Sequence, residues 1–555
     1  MKAFSCDFET TTDPDDCRVW AYGCCEVGKP DTFVYGNSIE GFIEWCRMNA
    51  NCQCYFHNLA FDGSFIIDWL LRNGWRWCEN DNQIGWNFFT TLIGDNNAFY
   101  MMELCFNKYR RVRIYDSMKI APLSVAALAS AYGLEVKKDS IDYTAYREVG
   151  HELTEEEVDY LRNDVVIVSE VLSKFIGEGL DHMTIGSNAL HDFLTMYGGF
   201  KKFRKLYPEL TEEEDAFIRK AYRGGWTYCN SAIAGKQIGE GIVYDVNSLY
   251  PSVMYDDELP YGHPHWFYGE PTGEWPLWIA SVTVVFHIRE KHVPCIQLKG
   301  NVMFKPTEYL TDSQGIVTMC VTNVDWGLYC EQYDIDALTW HGGYAFSSTD
   351  ELFKEYIDKW IEVKNQSTIE GNKGRRTIAK LMLNSLYGKF ATRREGVARR
   401  PVLVDEDQKE IVHYPLLDPE VRKTVYLPVG VFITSYARAK TVRAAQKCID
   451  RFLYADTDSI HLEGTEPAPI DIDDVELGKW KCEGTFKRAK FLRAKTYMEE
   501  YDSGKVVHVA GMPKVCHDQV TFDNFALGAV YDGKLYQKRV KGGIVLVPGT
   551  MEIRR

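Results

Sequence analysis

Two pairs of acids, each two residues apart, interrupt stretches that otherwise read as buried strands. Asp7 and Glu9 follow Ala3-Phe4-Ser5-Cys6, and Asp456 and Asp458 lie between Phe452-Leu453 and Ile460. A carboxylate in an apolar strand is costly unless it meets a cation or hydrogen-bond donors. The chain must therefore fold so that each pair is met by other polar groups, and the search for those groups organises the rest of the sequence.

Around the first pair, period-two geometry puts Asp7 and Glu9 on one strand face and Phe4, Cys6 and Phe8 on the other. Asp62 follows His57-Asn58-Leu59-Ala60-Phe61, and Asp164 stands four residues after Tyr160, on the same helical face. That helix is announced by a capping box, Thr154 with Glu157, and a staple, Leu153 with Val158. Carboxylates gathered in this way can hold two divalent cations about 4 Å apart, an arrangement that hydrolyses phosphodiesters. Tyr160 is a candidate for orienting the attacking water. Phe61 is a candidate for stacking on a terminal base, and Thr10, His57 and Asn58 for bonding a strand end. Lys138, or its neighbour Lys137, stands near Asp142 and is a candidate for steadying the scissile phosphate.

The second pair has distant company. Val243-Tyr244-Asp245-Val246 reads as a strand ending in an acid, followed by a turn into a helix at Ser248-Leu249-Tyr250-Pro251. Asp245 and Asp458 are the expected metal ligands, with Asp456 close by but not in direct contact. Between them, Lys373, Arg376, Lys380, Asn384 and Tyr387 fall within about 40° of one direction on a helix, with Ile378, Leu381, Met382 and Leu386 opposite. A cationic face tipped by Tyr387 suits a triphosphate whose base stacks on that ring. Lys495-Thr496-Tyr497, after a basic run from Lys487, is a candidate primer-strand contact. In Tyr222-Arg223-Gly224-Gly225, the glycines would let backbone approach a phosphate chain.

The net charge of −16 does not decide the partner, because binding phosphate needs a local basic channel and net charge describes the far field. Sixteen cysteines without a CxxC pair indicate reduced thiols and no zinc ribbon. No run of about 18 apolar residues occurs, so no membrane span is expected, and the strand-like start leaves no secretory leader. The absence of a GxxxxGK[ST] loop argues against a nucleotide-driven helicase. A free-standing repair exonuclease leaves Asp245, Asp458 and the Lys380 helix without a role.

Taken in order, Asp7-x-Glu9, Asn58-x-x-Phe61-Asp62 and Tyr160-x-x-x-Asp164 resemble the three exonuclease motifs of family B DNA polymerases. Asp245-x-x-Ser248-Leu249-Tyr250-Pro251, Lys380-x-x-x-Asn384-Ser385-x-Tyr387-Gly388 and Tyr454-x-Asp456-Thr457-Asp458 resemble that family's polymerase motifs, and the whole pattern is similar to its protein-primed phage subgroup. The resemblance implies a multidomain α/β and α+β chain, with an RNase H-like 3′→5′ exonuclease domain and a right-hand polymerase of palm, fingers and thumb. The expected divisions are exonuclease 1–184, palm 185–256 and 428–511, fingers 358–391 and thumb 512–555. Insertions at 257–357 and 392–427 would match the subgroup's two terminal-protein regions.

The resemblance further implies two ions per active site, Mg²⁺ with Mn²⁺ as substitute. One pair would be held by Asp245, Val246 and Asp458, the other by Asp7, Glu9, Asp62 and Asp164. Ser248, Leu249, Tyr250, Lys380, Asn384, Tyr387, Gly388 and Tyr454 would bind the nucleotide. Thr10, His57, Asn58, Phe61, Tyr222, Gly224, Gly225, Lys495 and Tyr497 would bind DNA. Expected partners are primer-template and single-stranded DNA, deoxynucleoside triphosphates and a terminal priming protein. The chain would act as a monomer in the cytoplasm of an infected bacterium, replicating DNA processively with proofreading and strand displacement.

Overall fold

The computed structural model describes residues 1–79, 85–134, 141–143, 145–298, 308–404, 411–416, 418 and 420–554. Lys137 and Lys138 lie outside the described residues. The fold is multidomain α/β.

The strand carrying Asp7 and Glu9, Lys2–Thr10, lies inside an eight-stranded mixed sheet. It runs antiparallel to Val19–Glu26 and parallel to Cys52–Phe56, which is itself parallel to Arg110–Asp116. As alternation requires, Phe4, Cys6 and Phe8 enter one apolar core with Phe42, Phe56 and Phe65. Helix Glu155–Gly177 packs on Lys2–Thr10 and Val19–Glu26 and brings Asp164 to the strand. Its start carries the expected capping box, with both the Thr154 and the Glu157 bonds formed.

A second, wholly antiparallel sheet of five strands carries the other acids. Its order is Trp480–Phe486, Gly241–Val246, Ser459–Glu463, Phe452–Asp456 and Thr227–Cys229. Two chain segments more than two hundred residues apart thus become neighbours, with Asp245 opposite Ser459. Helix Leu427–Lys447, buried along most of its length, contacts the hairpin strands Phe452–Asp456 and Ser459–Glu463.

Residues between the two halves of this sheet form a four-stranded antiparallel sheet of Leu259–Phe267, Tyr333–Thr349, Leu277–Ile288 and Val317–Thr322. Helices Lys354–Ile369 and Lys373–Ser385 follow as an adjacent pair. A further four-stranded sheet orders Gln237–Ile238, Arg488–Arg493, Thr496–Tyr501 and Gly504–Val509. Its Leu492, Met498 and Val507 share a core with Val520, Phe525, Tyr531 and Ile553, so packing is continuous across residue 512.

Val530–Val540 and Gly543–Glu552 pair as one long hairpin of 11 and 10 residues. Its far end reaches the first sheet, where Val545 joins the core containing Phe65. A side chain at Gly543 would bring its Cβ to 2.5 Å from Cδ1 of Phe65, so glycine is required for this approach. Among the described residues, no helix is long and apolar enough to cross a membrane.

Candidate active sites

The chain turns from strand Cys52–Phe56 into helix Leu59–Arg72 through His57 and Asn58, and Asn58 adopts a left-handed φ of +79°. Asparagine tolerates that region better than most residues. The Asn58 N–H donates to Oδ1 of Asp116 at 3.1 Å, which fixes the turn and places Asp62 in the first helical turn, 4% exposed.

Four carboxyls lie within electrostatic reach of one another here. Asp7 is pushed up to about 8, first by burial and then by Asp164. Glu9 is raised well above its usual value by burial and by Asp7, Asp164 and Asp62, against the opposing pull of Arg147. Burial and then Asp7 raise Asp62, and burial raises Asp164. Burial is the first cause in each case, and an all-oxygen donor set of this kind fits hard divalent ions.

The expected neighbours divide. The Tyr160 hydroxyl lies 2.8 Å from that of Tyr143, a residue the sequence did not single out. Phe61 is partly exposed beside Phe65, with ring centroids 5.4 Å apart, and Thr10 ends the carboxylate strand. His57 is already committed, with Nδ1 3.0 Å from the Ser117 hydroxyl and Nε2 2.7 Å from the Leu123 carbonyl oxygen. Both contacts tie His57 to the turn.

At the second centre, Asp245 is the last residue but one of its strand, and Ser248 (φ +58°) turns the chain into helix Leu249–Asp256. The hairpin turn at Thr457 (φ +66°) sets Asp458 beside it, and the Val246 N–H donates to the Asp458 carbonyl at 2.8 Å. Left-handed Ser and Thr are strained, and strain of this kind persists where the surroundings enforce it. Asp245 is pushed up to about 7 by burial, then by Asp458 and Glu483, against Lys380 and Lys481. Asp458 is raised by burial, and by Asp456 against Lys495 and Lys380. Asp456 is differently placed. Its Oδ1 accepts from Thr227 at 3.0 Å and from Lys495 Nζ at 2.5 Å, so it is committed within the protein.

A cavity of about 420 Å³ opens over the Asp245–Asp458 pair. Asp245, Asp458 and Glu483 line one part of it, and Lys364, Arg376, Lys380 and Lys481 supply cations. Ser248, Leu249, Tyr250, Asn384 and Tyr387 complete the wall. Carboxylates beside a cluster of ammonium and guanidinium groups suit a polyphosphate with bound divalent cations. Among the described residues, no three His, Cys, Asp or Glu side chains converge to hold an ion unaided. Two larger cavities, about 770 Å³ each, contain no carboxylate of either set.

Tyr250 and Tyr387 stack at 4.0 Å between centroids, 18° from parallel. A Cβ at Gly225 would fall 2.6 Å from the Thr457 methyl and 3.1 Å from the Tyr250 hydroxyl, which explains glycine there. The preceding backbone is held by Arg438, whose Nη1 donates to the carbonyls of Arg223 (2.7 Å) and Gly224 (2.8 Å). Arg438 in turn pairs with buried Asp325 at 2.6 Å.

Several expected residues stand outside the cavity. Gly388 is not in its wall, since the helix stops at Ser385 and Tyr387 begins a separate turn, Tyr387–Phe390, and Lys373, at the far end of the helix about two turns from Lys380, lines another hollow. Tyr454, expected at the nucleotide, is fully buried against Phe491 and Tyr497, and its hydroxyl accepts the Lys495 N–H at 2.9 Å. Tyr222 is largely buried and near Tyr387, and Tyr497 stacks on His508 at 4.5 Å.

The comparisons with known proteins agree with this geometry. The description "DNA polymerase type B, organellar and viral" matches residues 43–151 and 145–477. The DNA polymerase of Bacillus phage Nf is 44% identical, and that of Bacillus phage phi29 is 42% identical, each over 100% of this chain and at least 99% of the relative. The solved structure of phi29 DNA polymerase complexed with primer-template DNA and incoming nucleotide substrates superposes with a TM-score of 0.94, at 40% identity and full coverage of both chains. The chain belongs to the family B DNA polymerases, in the phi29-like phage subgroup, and is a DNA-directed DNA polymerase.

Proposed function

We propose that the two carboxylate centres divide replication between them, synthesis at Asp245 and Asp458 and proofreading excision at Asp7, Glu9, Asp62 and Asp164. The observation that carries this reading is the cavity in which Asp245 and Asp458 stand beside Lys364, Arg376 and Lys380. Asp245, Asp458 and the Val246 backbone would hold divalent ions, magnesium or manganese, which lower the pKa of a primer 3′-hydroxyl and offset charge on the triphosphate. Lys380 and Arg376 bind the phosphates, and Tyr387 stacks beneath the base. Lys495 and Tyr497 hold the primer strand, and the backbone of Gly224 and Gly225 follows the template. In the excision centre Tyr160, steadied by Tyr143, orients water, while Phe61 and Asn58 hold the frayed end.

On this reading residues 1–184 are the exonuclease domain, and 185–256 with 428–511 the palm. Residues 358–391 are the fingers and 512–555 the thumb. The four-stranded sheet within 257–357 docks a terminal priming protein, and the hairpins within 392–427 help encircle DNA in the infected host. The phi29 polymerase has been solved with primer-template DNA, with nucleotide and with single-stranded DNA, and the same partners are assigned to this chain.

Tyr250, stacked on Tyr387 in the cavity wall, would crowd a ribose 2′-hydroxyl. Replacing it with Val should raise incorporation of ribonucleotides relative to deoxynucleotides by about 100-fold, the scale of discrimination a steric pocket gives. Competitive incorporation assays read this, and an unchanged ratio rejects the gate. The wider reading is tested by extension of one primer on a single-stranded circle, without helicase or clamp. Products longer than one lap are expected, and arrest at one lap would remove strand displacement from the account.

A further inference from the structure

Behind the Asp245–Asp458 pair, the five-stranded sheet meets the sheet that carries Lys495 and Tyr497, and one buried polar pair joins them. His461, on strand Ser459–Glu463 opposite Val243, is 2% exposed, and its Nδ1 lies 2.7 Å from Oε1 of Glu499. Glu499, on strand Thr496–Tyr501, is also 2% exposed, and its Oε2 accepts from the Tyr501 hydroxyl at 2.9 Å. Among the described residues these are the hydrogen-bond partners of the carboxylate. The surroundings are aromatic: Tyr454 and Tyr497 pack on the His461 ring at 5.3 Å and Phe491 at 5.6 Å.

Period-two geometry places Tyr497, Glu499 and Tyr501 on one face of their strand, toward the hairpin that carries Asp456 and Asp458. Just before that strand, Lys495 donates its N–H to the Tyr454 hydroxyl and its Nζ to Asp456. Apolar and aromatic contacts alone tolerate sliding between the sheets. A buried carboxylate that must meet one donor does not, because losing that donor leaves the carboxylate underpaired away from water.

We propose that the His461–Glu499 pair is a positioning element that seats Lys495 and Tyr497 on the Asp456–Asp458 hairpin. It thereby biases a primer terminus toward the Asp245–Asp458 centre and away from the Asp7–Glu9–Asp62–Asp164 cluster. This rests on the role given above to Lys495 and Tyr497. Neither His461 nor Glu499 lines the nucleotide cavity, so both act through the strands that bear them.

The test uses the full chain. His461→Phe keeps a ring among Tyr454, Phe491 and Tyr497 but removes the donor. The dissociation constant for primer-template DNA should rise about tenfold, as should the deoxynucleotide concentration at which extension balances excision. Degradation of free single-stranded DNA should stay at the wild-type rate, which also reports an intact fold. His461→Asn, whose amide can occupy the place of Nδ1, should restore both values. If His461→Phe proves insoluble, Glu499→Met breaks the pair from the other side, with the same two shifts expected. A soluble variant of either kind with wild-type affinity and balance overturns the inference, as does failure of His461→Asn to rescue. Should the wild-type chain itself fail to extend or excise, the functional reading would be at fault instead.

Discussion

Asp458→Asn should reduce primer extension by at least about a thousandfold while leaving degradation of single-stranded DNA unchanged. The substitution preserves shape, and the backbone bond from the Val246 N–H to residue 458 remains. It removes a half-buried carboxyl that burial and Asp456 hold above its usual range, and with it the charge that would attract a cation to the cavity. Ion-assisted charge stabilisation is worth several kcal/mol, and each 1.4 kcal/mol or so is tenfold in rate. Steady-state incorporation of one nucleotide, measured beside hydrolysis of an end-labelled single strand, checks both halves. Extension within tenfold of wild type would remove Asp458 from the chemistry.

The second large effect is at the other centre. Asp62→Ala should lower excision by a comparable factor, at least about a thousandfold, and leave extension of a matched primer intact. Asp62 stands buried in the first turn of its helix beside Asp7, with Asp116 also raising its pKa. Extension of a matched primer at the wild-type rate would show that loss of excision does not stem from unfolding. Mispaired primer ends should persist in this variant where the wild-type chain trims them. Gel analysis of a terminally mismatched primer reads that difference, and trimming at the wild-type rate would contradict the assignment.

Both centres were legible in the sequence for one reason. Acids are conspicuous in apolar strands, and alternation says which side they face. The same rule placed Phe4, Cys6 and Phe8 in the core opposite Asp7 and Glu9. Groups supplied by distant strands were not legible. Glu483 and Lys481 stand in a strand of mixed polarity and reach the cavity only because Trp480–Phe486 pairs with Gly241–Val246. Asp325 and Arg438, 113 positions apart, form a buried pair that no local pattern announces.

What covers a strand face or meets a side chain is likewise set by distant segments. Alternation puts Tyr454 on the side of Asp456, but only the folded chain shows that the Tyr497 strand covers it. His57 was chosen for its chemistry, and the structure commits both ring nitrogens to Ser117 and Leu123. Lys373 shares the cationic helical face but starts the helix about two turns from Lys380, and the cavity draws on Lys364 of the neighbouring helix.

On the proposed reading, one chain holds two independent phosphate-processing centres. The most direct measurement gives the same end-labelled primer-template to wild type, Asp458→Asn and Asp62→Ala, each with and without deoxynucleotides. The account predicts a crossed pattern, in which Asp458→Asn shortens the primer under both conditions and Asp62→Ala only lengthens it. Loss of lengthening and shortening together in both variants would contradict it.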